Sequence, residues 1–404
     1  MWREGDLELR FAQFTQLLQA HQHWWRPRAF SSAELPWERE QPELSRLLRV
    51  MPLQQSEALA ADNNRLAEFL SPWLDIARTL PALCELPQAA LNPDVSSQKI
   101  NREPRDVPGR KWQQILAFGA HLPNTQMPAV EWCSGKAHLG RWYVEQNNQH
   151  VDALEWNADL VAEGNRLSLR EQTDVIIHHV DVLSPQSNNY LRADSQVLAL
   201  HACGQLHIHL LQQCQSEHAP ARVALAPCCY HLISSDVYQP LSAAAQAAQL
   251  PLTLHDLHTA VQESVTSPAR VQKQRRQLQA WRLGFDLLQR DVRGLDEYMT
   301  TPSQPLSVLQ NGFAAFCKSM ATAKQLVLPN GLDISPYQHR GLQRLIEVNA
   351  LDLPRLLFRR ALELWLVLDR ALYLREAGYD VTVGLFCERQ LTPRNILITA
   401  RRGH

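Results

Sequence analysis

AVEWCSGKAHLGR, residues 129–141, is the stretch on which the fold turns. An apolar run reaching Val130 meets an acid, Glu131, then a turn holding Gly135, then residues patterned as the start of a helix. Strand, acid, small-residue turn and helix together outline a nucleotide-type cofactor site. A dinucleotide loop needs G-x-G-x-x-G after its first strand. Here Cys133, Gly135 and Gly140 would fill those places at the wrong spacing.

An acid-x-G-x-G-x-G loop for S-adenosyl-L-methionine fits better, with Glu131, Cys133, Gly135 and Ala137 in register. Small side chains let the backbone approach a ligand, and the ligand's carboxylate can lie near the amides at the helix start. An ordinary strand-to-helix turn is the competing reading. Glu155 ends the next apolar run, 20 residues after Gly135 (155 − 135), where an acid can accept both ribose hydroxyls of an adenosine. Asp181 ends the third run, where a carboxylate can meet the adenine amino group. Acids also cap strand ends that face water, so the inference draws on three of them in register.

Outward from this loop, apolar runs recur at 151–157, 174–182, 196–204 and 222–231, most of them separated by helix-length segments. Strands alternating with helices predict a parallel, doubly wound α/β sheet. Residues 1–105 read as a helical N-terminal domain broken by Pro27, Pro36 and Pro42, and the polar stretch 92–110 reads as a boundary. The sheet core is expected over 106–235 and a helical insertion over 236–375. Strands at 379–387 and 395–401 then complete the sheet as an antiparallel hairpin within 376–404.

The 404 residues are 45% hydrophobic and 20% charged with a formal net charge of −1, a globular balance without a global basic footprint. The N-terminus is too charged for a secretory signal, no apolar run reaches membrane-spanning length, and the eight cysteines form no disulfide-type framework. The expected setting is therefore a reducing cytoplasm, with no membrane partner. The oligomeric state is not legible.

Two groups of thiols and imidazoles follow the fourth and fifth strands: His201 and Cys203, then Cys228, Cys229, Tyr230 and His231. Neighbouring parallel strands would bring both to one carboxyl rim. Methyl transfer is an in-line displacement, so these residues would line or align the acceptor, with His201 or His231 as the base for a hydroxyl. A metal site is a second reading, with Cys203, Cys228, Cys229 and His231 as ligands. Adjacent cysteines chelate awkwardly and no C-x-x-C pair exists, so no metal is assigned. Plain packing beneath a pocket is the third. Lys111, Trp112 and Gln113 precede the first strand, as a lid segment or as a surface helix.

In this order, EWCSGKAHLGR, LHACG, PCCYH, LDRALYLREAGY and LTPRNILITAR resemble the class I S-adenosylmethionine-dependent methyltransferase-domain family. That family includes methyltransferase-like proteins named for a ribosomal RNA adenine dimethylase domain and proteins with a glutathione-S-transferase C-terminal domain. The chain looks like a bacterial-type member. The resemblance covers roughly 107–235 and 360–402. It implies a Rossmann-like methyltransferase sheet with S-adenosyl-L-methionine as cofactor, and it places Glu131, Gly135, Lys136 and His138 in the family's GKGHL-type loop. Ala137 stands where the family has a second glycine.

Residues 270–293 carry seven Lys or Arg against two Asp, a local charge of +5, with Trp281 and Phe285 interleaved. Such a segment suits RNA phosphates, and it equally suits a solvated helix face. The expectation is a methyltransferase acting on RNA, with protein or a small molecule as other acceptors. The rival is a catalytically silent fold of the same kind, or a Cys/His metal-linked adaptor that binds RNA or protein.

Overall fold

The computed structural model describes residues 1–92, 106–262 and 269–403; residues 93–105 of the expected boundary at 92–110 lie outside them. From the N-terminus the elements used below are α1 (Asp6–Ala20), α2 (Gly109–Gly119), β1 (Ala129–Trp132), α3 (His138–Asn147), β2 (Val151–Glu155), α4 (Ala158–Glu171) and β3 (Val175–His179). They continue with β4 (Gln196–Cys203), α5 (Gln205–Gln213), β5 (Arg222–Cys228), α6 (Ala269–Arg293), α7 (Phe313–Ala323), α8 (Ser335–Leu351), α9 (Arg359–Glu376), β6 (Tyr379–Leu385) and β7 (Ile396–Arg402).

The seven strands form one sheet in the order β3-β2-β1-β4-β5-β7-β6. Strands β1 to β5 are parallel, and β7 runs antiparallel to both β5 and β6. The parallel sheet and the C-terminal hairpin are those the sequence predicts. All four residues of β1 are buried, as expected of a parallel strand covered on both faces. The outer edge of β6 is not left open. Trp2 exchanges backbone hydrogen bonds with Val383, and Ala89 N–H donates to the Leu385 carbonyl. Covering an edge this way removes a template for strand pairing between molecules. From β1 the chain builds outward through β2 to β3, then crosses to β4 on the other side of β1. At such a switch point doubly wound sheets bind ligands outside the carboxyl ends of the strands, here those of β1 and β4.

Contacts divide the chain into two compact units: Met1–Ala20, Cys84–Val261 and Arg360–His404 in one, His21–Leu83 and Gln262–Arg359 in the other. The four segments expected from sequence order are thereby regrouped. In the second unit α6, α7 and α8 share a core of Trp281, Phe285, Phe316 and Met320, with Tyr337 packed against it. The short helices at 36–49 join this unit through Arg49, which pairs with both Glu38 and Glu347.

In the sheet unit, α9 is the helix that decides local stability. Residues 361–372 are all buried, an apolar run interrupted by Glu363, Asp369 and Arg370. A helix buried all round must satisfy any charge it carries. The Asp369 carboxylate accepts from Tyr238 Oη (2.7 Å), Leu241 N (3.0 Å), Ser242 N (2.7 Å) and Ser242 Oγ (2.7 Å). Arg370 takes other partners: its Nε donates to His207 Nε2 at 2.8 Å, and Nη1 to the Leu366 carbonyl and Tyr238 Oη. Removing the carboxylate would leave four buried donors without their acceptor. Asp369→Ala is therefore expected to destabilise the fold by about 3–5 kcal/mol, read by urea unfolding. A loss below about 1 kcal/mol would show that the network is solvated rather than sealed.

Candidate functional site

The loop after β1 is held by two carboxylates at the ends of adjacent strands. Glu131, 6% exposed, accepts the Gly140 N–H at 2.7 Å, and so caps the first turn of α3 from beneath. A Cβ on Gly140 would lie 2.8 Å from Glu131 Oε2 and 3.0 Å from Val151 Cγ1, so a side chain here would displace the carboxylate. Glu155 accepts the Gly135 N–H at 2.8 Å through one oxygen and the Asn157 N–H at 2.9 Å through the other. Each of its oxygens keeps a further lone pair. Beside it the Trp156 side chain is 73% exposed.

Between these two anchors Cys133, Gly135 and Ala137 have φ of +59°, +60° and +55°. The acid-x-G-x-G-x-G spacing is thus kept in backbone conformation even where cysteine and alanine replace glycine. Each such substitution costs of order 1–2 kcal/mol relative to the ordinary helical region. His201 (φ +68°) and Cys229 (φ +47°) are left-handed too. Four of the nine non-glycine residues with positive φ among the described residues therefore lie at the carboxyl ends of β1, β4 and β5, a concentration typical of functional sites.

The remaining loop residues turn inward or aside. Lys136 Nζ pairs with Glu163 Oε1 on α4 at 2.5 Å, so its ammonium is committed to that helix. His138, at the first turn of α3, is 5% exposed, and its Nδ1 accepts from Arg141 Nη2 at 2.8 Å. Burial and then the cations Arg141, Lys111 and Lys136 lower His138 to about 3, so it stays neutral. Arg141, itself buried, also pairs with Glu171 at 3.2 Å. Asp181 lies two residues past the end of β3, exposed, with one oxygen accepting the Leu183 N–H.

At the rim, β4 is irregular between Leu200 and Cys203, and this bulge presents His201. Gln114 on α2 fixes the imidazole. Its amide nitrogen donates to the Leu391 carbonyl, so its oxygen is left to accept from His201 Nε2 at 2.7 Å. Burial and then the Lys111 charge hold His201 below its usual range, leaving Nδ1 with its lone pair. Gly204 closes the bulge with φ +52°, and a Cβ there would lie 2.0 Å from the Leu232 carbonyl oxygen. Any side chain at 204 would push the two rim turns apart.

Cys203 and Cys228 are register partners on β4 and β5, with Sγ atoms 3.1 Å apart. Cys229 joins them; all three sulfurs lie within 4.8 Å of one another. Hydrogen bonds from Cys203 and Cys228 lower the Cys229 thiol, and His231 and Arg394 add to the effect. Tyr230 is not on the rim. It is fully buried, with its hydroxyl donating to the Pro227 carbonyl at 3.4 Å and its ring 4.9 Å from the Arg370 guanidinium. It packs beneath the thiols because Arg370 needs an aromatic face there. His231 stacks on His258 with ring centroids 4.2 Å apart.

The sequence reading named most of these residues but missed Gln114, Trp156, Arg141 and Arg394. Trp156 was within reach, because it directly follows the strand-end acid. Gln114 and Arg394 come from distant segments, and no spacing rule points to them.

Glu131 yields a test. Burial pushes its carboxyl up to about 7, against the lowering effect of the Gly140 N–H, Lys111 and Arg141. Between the ordinary value of 4.5 and about 7 the native state holds a proton that the unfolded chain has released. Stability should therefore fall as pH rises across that window, by up to about 3 kcal/mol, and level off above it. Glu131→Gln is expected to flatten this slope in urea unfolding series. A variant curve parallel to the wild type would remove Glu131 as its source.

Residues 112–236 match the family model of a methyltransferase domain. No curated protein matches the sequence. Among solved structures, a protein described as a sarcosine dimethylglycine methyltransferase from Galdieria sulphuraria is 10% identical with a TM-score of 0.23, covering 35% of this chain and 52% of that one. The cyclopropane synthase MmaA2 from Mycobacterium tuberculosis is 10% identical with a TM-score of 0.25, covering 74% and 86%. The chain spans about half the length of the first of these. Residues 112–236, which carry β1 to β5 and the loop after β1, are thus a methyltransferase domain by this match, an enzyme domain whose implied methyl donor is S-adenosyl-L-methionine.

Proposed function

We propose that this chain transfers a methyl group from S-adenosyl-L-methionine to an acceptor bound at the carboxyl rim of β4 and β5. The observation that carries the reading is the left-handed loop at 133–137, tied to Glu155 at the β1/β4 switch point. When bound, the donor supplies an electrophilic methyl on a sulfonium that departs as a neutral thioether. The chain's residues have only to bind, orient and exclude water.

In this reading Glu155 accepts the ribose hydroxyls on the lone pairs that the Gly135 and Asn157 amides leave available. Trp156 offers its exposed face to the adenine, and Asp181 offers its second oxygen to the adenine amino group. Glu131 acts from below, shaping α3 rather than touching the donor. The acceptor lies against His201, Cys203 and Cys229, with Gln114 holding the imidazole in one tautomer. Retained Glu155 and the preserved loop conformation favour an active pocket over a silent fold.

RNA is the acceptor class to test first. Its support is the start of α6, where Arg270 and Lys273 are exposed. The rest of the expected basic, aromatic face is engaged elsewhere. Arg276, Arg290 and Arg293 pair with acids, Arg282 bonds Thr301, and Trp281 and Phe285 are core. Stacking on bases is therefore not available from those two rings.

Calorimetry should show S-adenosyl-L-methionine binding to the full chain, weakened at least tenfold in Glu155→Ala. Trp156→Ala should weaken it about tenfold, the scale of one lost base-aromatic stack. Tritium from labelled donor should then enter the RNA fraction of an extract lacking this protein. Binding unchanged in Glu155→Ala would overturn the ribose assignment. Label confined to protein or small molecules would overturn RNA while leaving the transferase reading standing.

A further inference from the structure

The three rim thiols have no assigned role beyond lining the acceptor, yet their arrangement is specific. Cys203 and Cys228 end neighbouring parallel strands in register, which sets their sulfurs side by side. Cys229 should not join them, because successive side chains on a strand point to opposite faces. The left-handed backbone at Cys229 breaks that alternation and brings the third sulfur to the same place. This answers the usual objection to adjacent cysteines as ligands.

We propose that Cys203, Cys228 and Cys229 form a binding site for a thiophilic metal ion, zinc first, with a fourth coordination position left open at the rim. Four ligands at zinc–sulfur distances of about 2.3 Å place tetrahedral sulfurs about 3.8 Å apart. The observed sulfurs, 3.1 Å apart for one pair and all within 4.8 Å, bracket that value. Closing the triangle around an ion needs only small side-chain adjustments. Three thiolates select zinc over hard cations. Their three negative charges against the ion's two leave one, and the Arg394 guanidinium is close enough to act on both Cys203 and Cys229.

His231 lies two residues on but outside the triangle, so three protein ligands are assigned rather than four. Three ligands with an open position are the pattern of reactive zinc sites, whereas structural sites are closed by four. The open position would take an electron-pair donor atom of the bound acceptor, or water in its absence.

The test uses the full chain and needs no methyl transfer, so its failure and the failure of the donor reading are distinguishable. Purified without chelator, the protein should carry one zinc per chain by plasma mass spectrometry. Zinc should slow N-ethylmaleimide labelling of Cys203, Cys228 and Cys229 together at least tenfold, read by peptide mass, with Cys387 labelling unchanged. Cobalt in its place should give a thiolate-to-metal charge-transfer band in the near ultraviolet. Cys229→Ser should lose that band and most of the metal; the labelling pattern of the wild type decides the matter should that variant fail to fold. The proposal is overturned by less than one-tenth of a zinc per chain after loading with zinc chloride and gel filtration. It is equally overturned by protection at other cysteines, or by a Cys203–Cys228 disulfide in protein prepared under reducing conditions.

Discussion

Two backbone amides of one loop, each gripped by a carboxylate at the tip of a neighbouring strand, are the constraint on which the site rests. Gly135 N–H is held by Glu155 and Gly140 N–H by Glu131. In the same stretch Cys133, Gly135 and Ala137 adopt a conformation that costs an L-residue energy, and two of the three are not glycine. Without the carboxylates the loop would relax into an ordinary turn, and α3 would lose its cap. The two acids share a sequence signal but differ in task. Glu131 is sealed under the helix, whereas Glu155 keeps further lone pairs, next to an exposed indole.

A second layer supports the opposite wall. The bulge in β4, the left-handed His201 and Cys229, and Gly204 against Leu232 together turn two strand ends inward. Beneath them Arg370 faces the Tyr230 ring and bonds His207, which in turn bonds the Ala202 carbonyl through Nδ1. The rim is thus braced from α9, through a charge that no surface salt bridge could replace. Sequence LDRALYLREAG therefore acts on the site from below, through Asp369 and Arg370 with separate partners.

Much of this was legible in the sequence for a physical reason. Parallel strands buried on both faces must be continuous apolar runs, and five of them with acids or thiols at their ends stand out even without glycines. The loop was harder, since Cys133 and Ala137 hide a backbone pattern that only φ reveals. Tyr230 was misplaced because a residue between two rim groups reads as a rim residue, while the buried guanidinium that claims its ring lies 140 positions away (370 − 230). The aromatic residues of 270–293 were misread for the same reason. Their partners on α7 and α8 lie far along the chain, and amphipathic spacing does not say whether an aromatic meets a core or a ligand. The convergence of Cys203 with Cys228 and Cys229 depends on strand register and one left-handed residue, neither of which spacing encodes.

Amide hydrogen exchange of the full chain, with and without S-adenosyl-L-methionine, tests the central claim most directly. Binding should slow exchange at residues 134–138 and 155–157, where the loop and the strand-end acid meet the donor. Saturating donor that leaves both stretches unchanged, or protects only segments away from the carboxyl ends of β1 and β4, would contradict it.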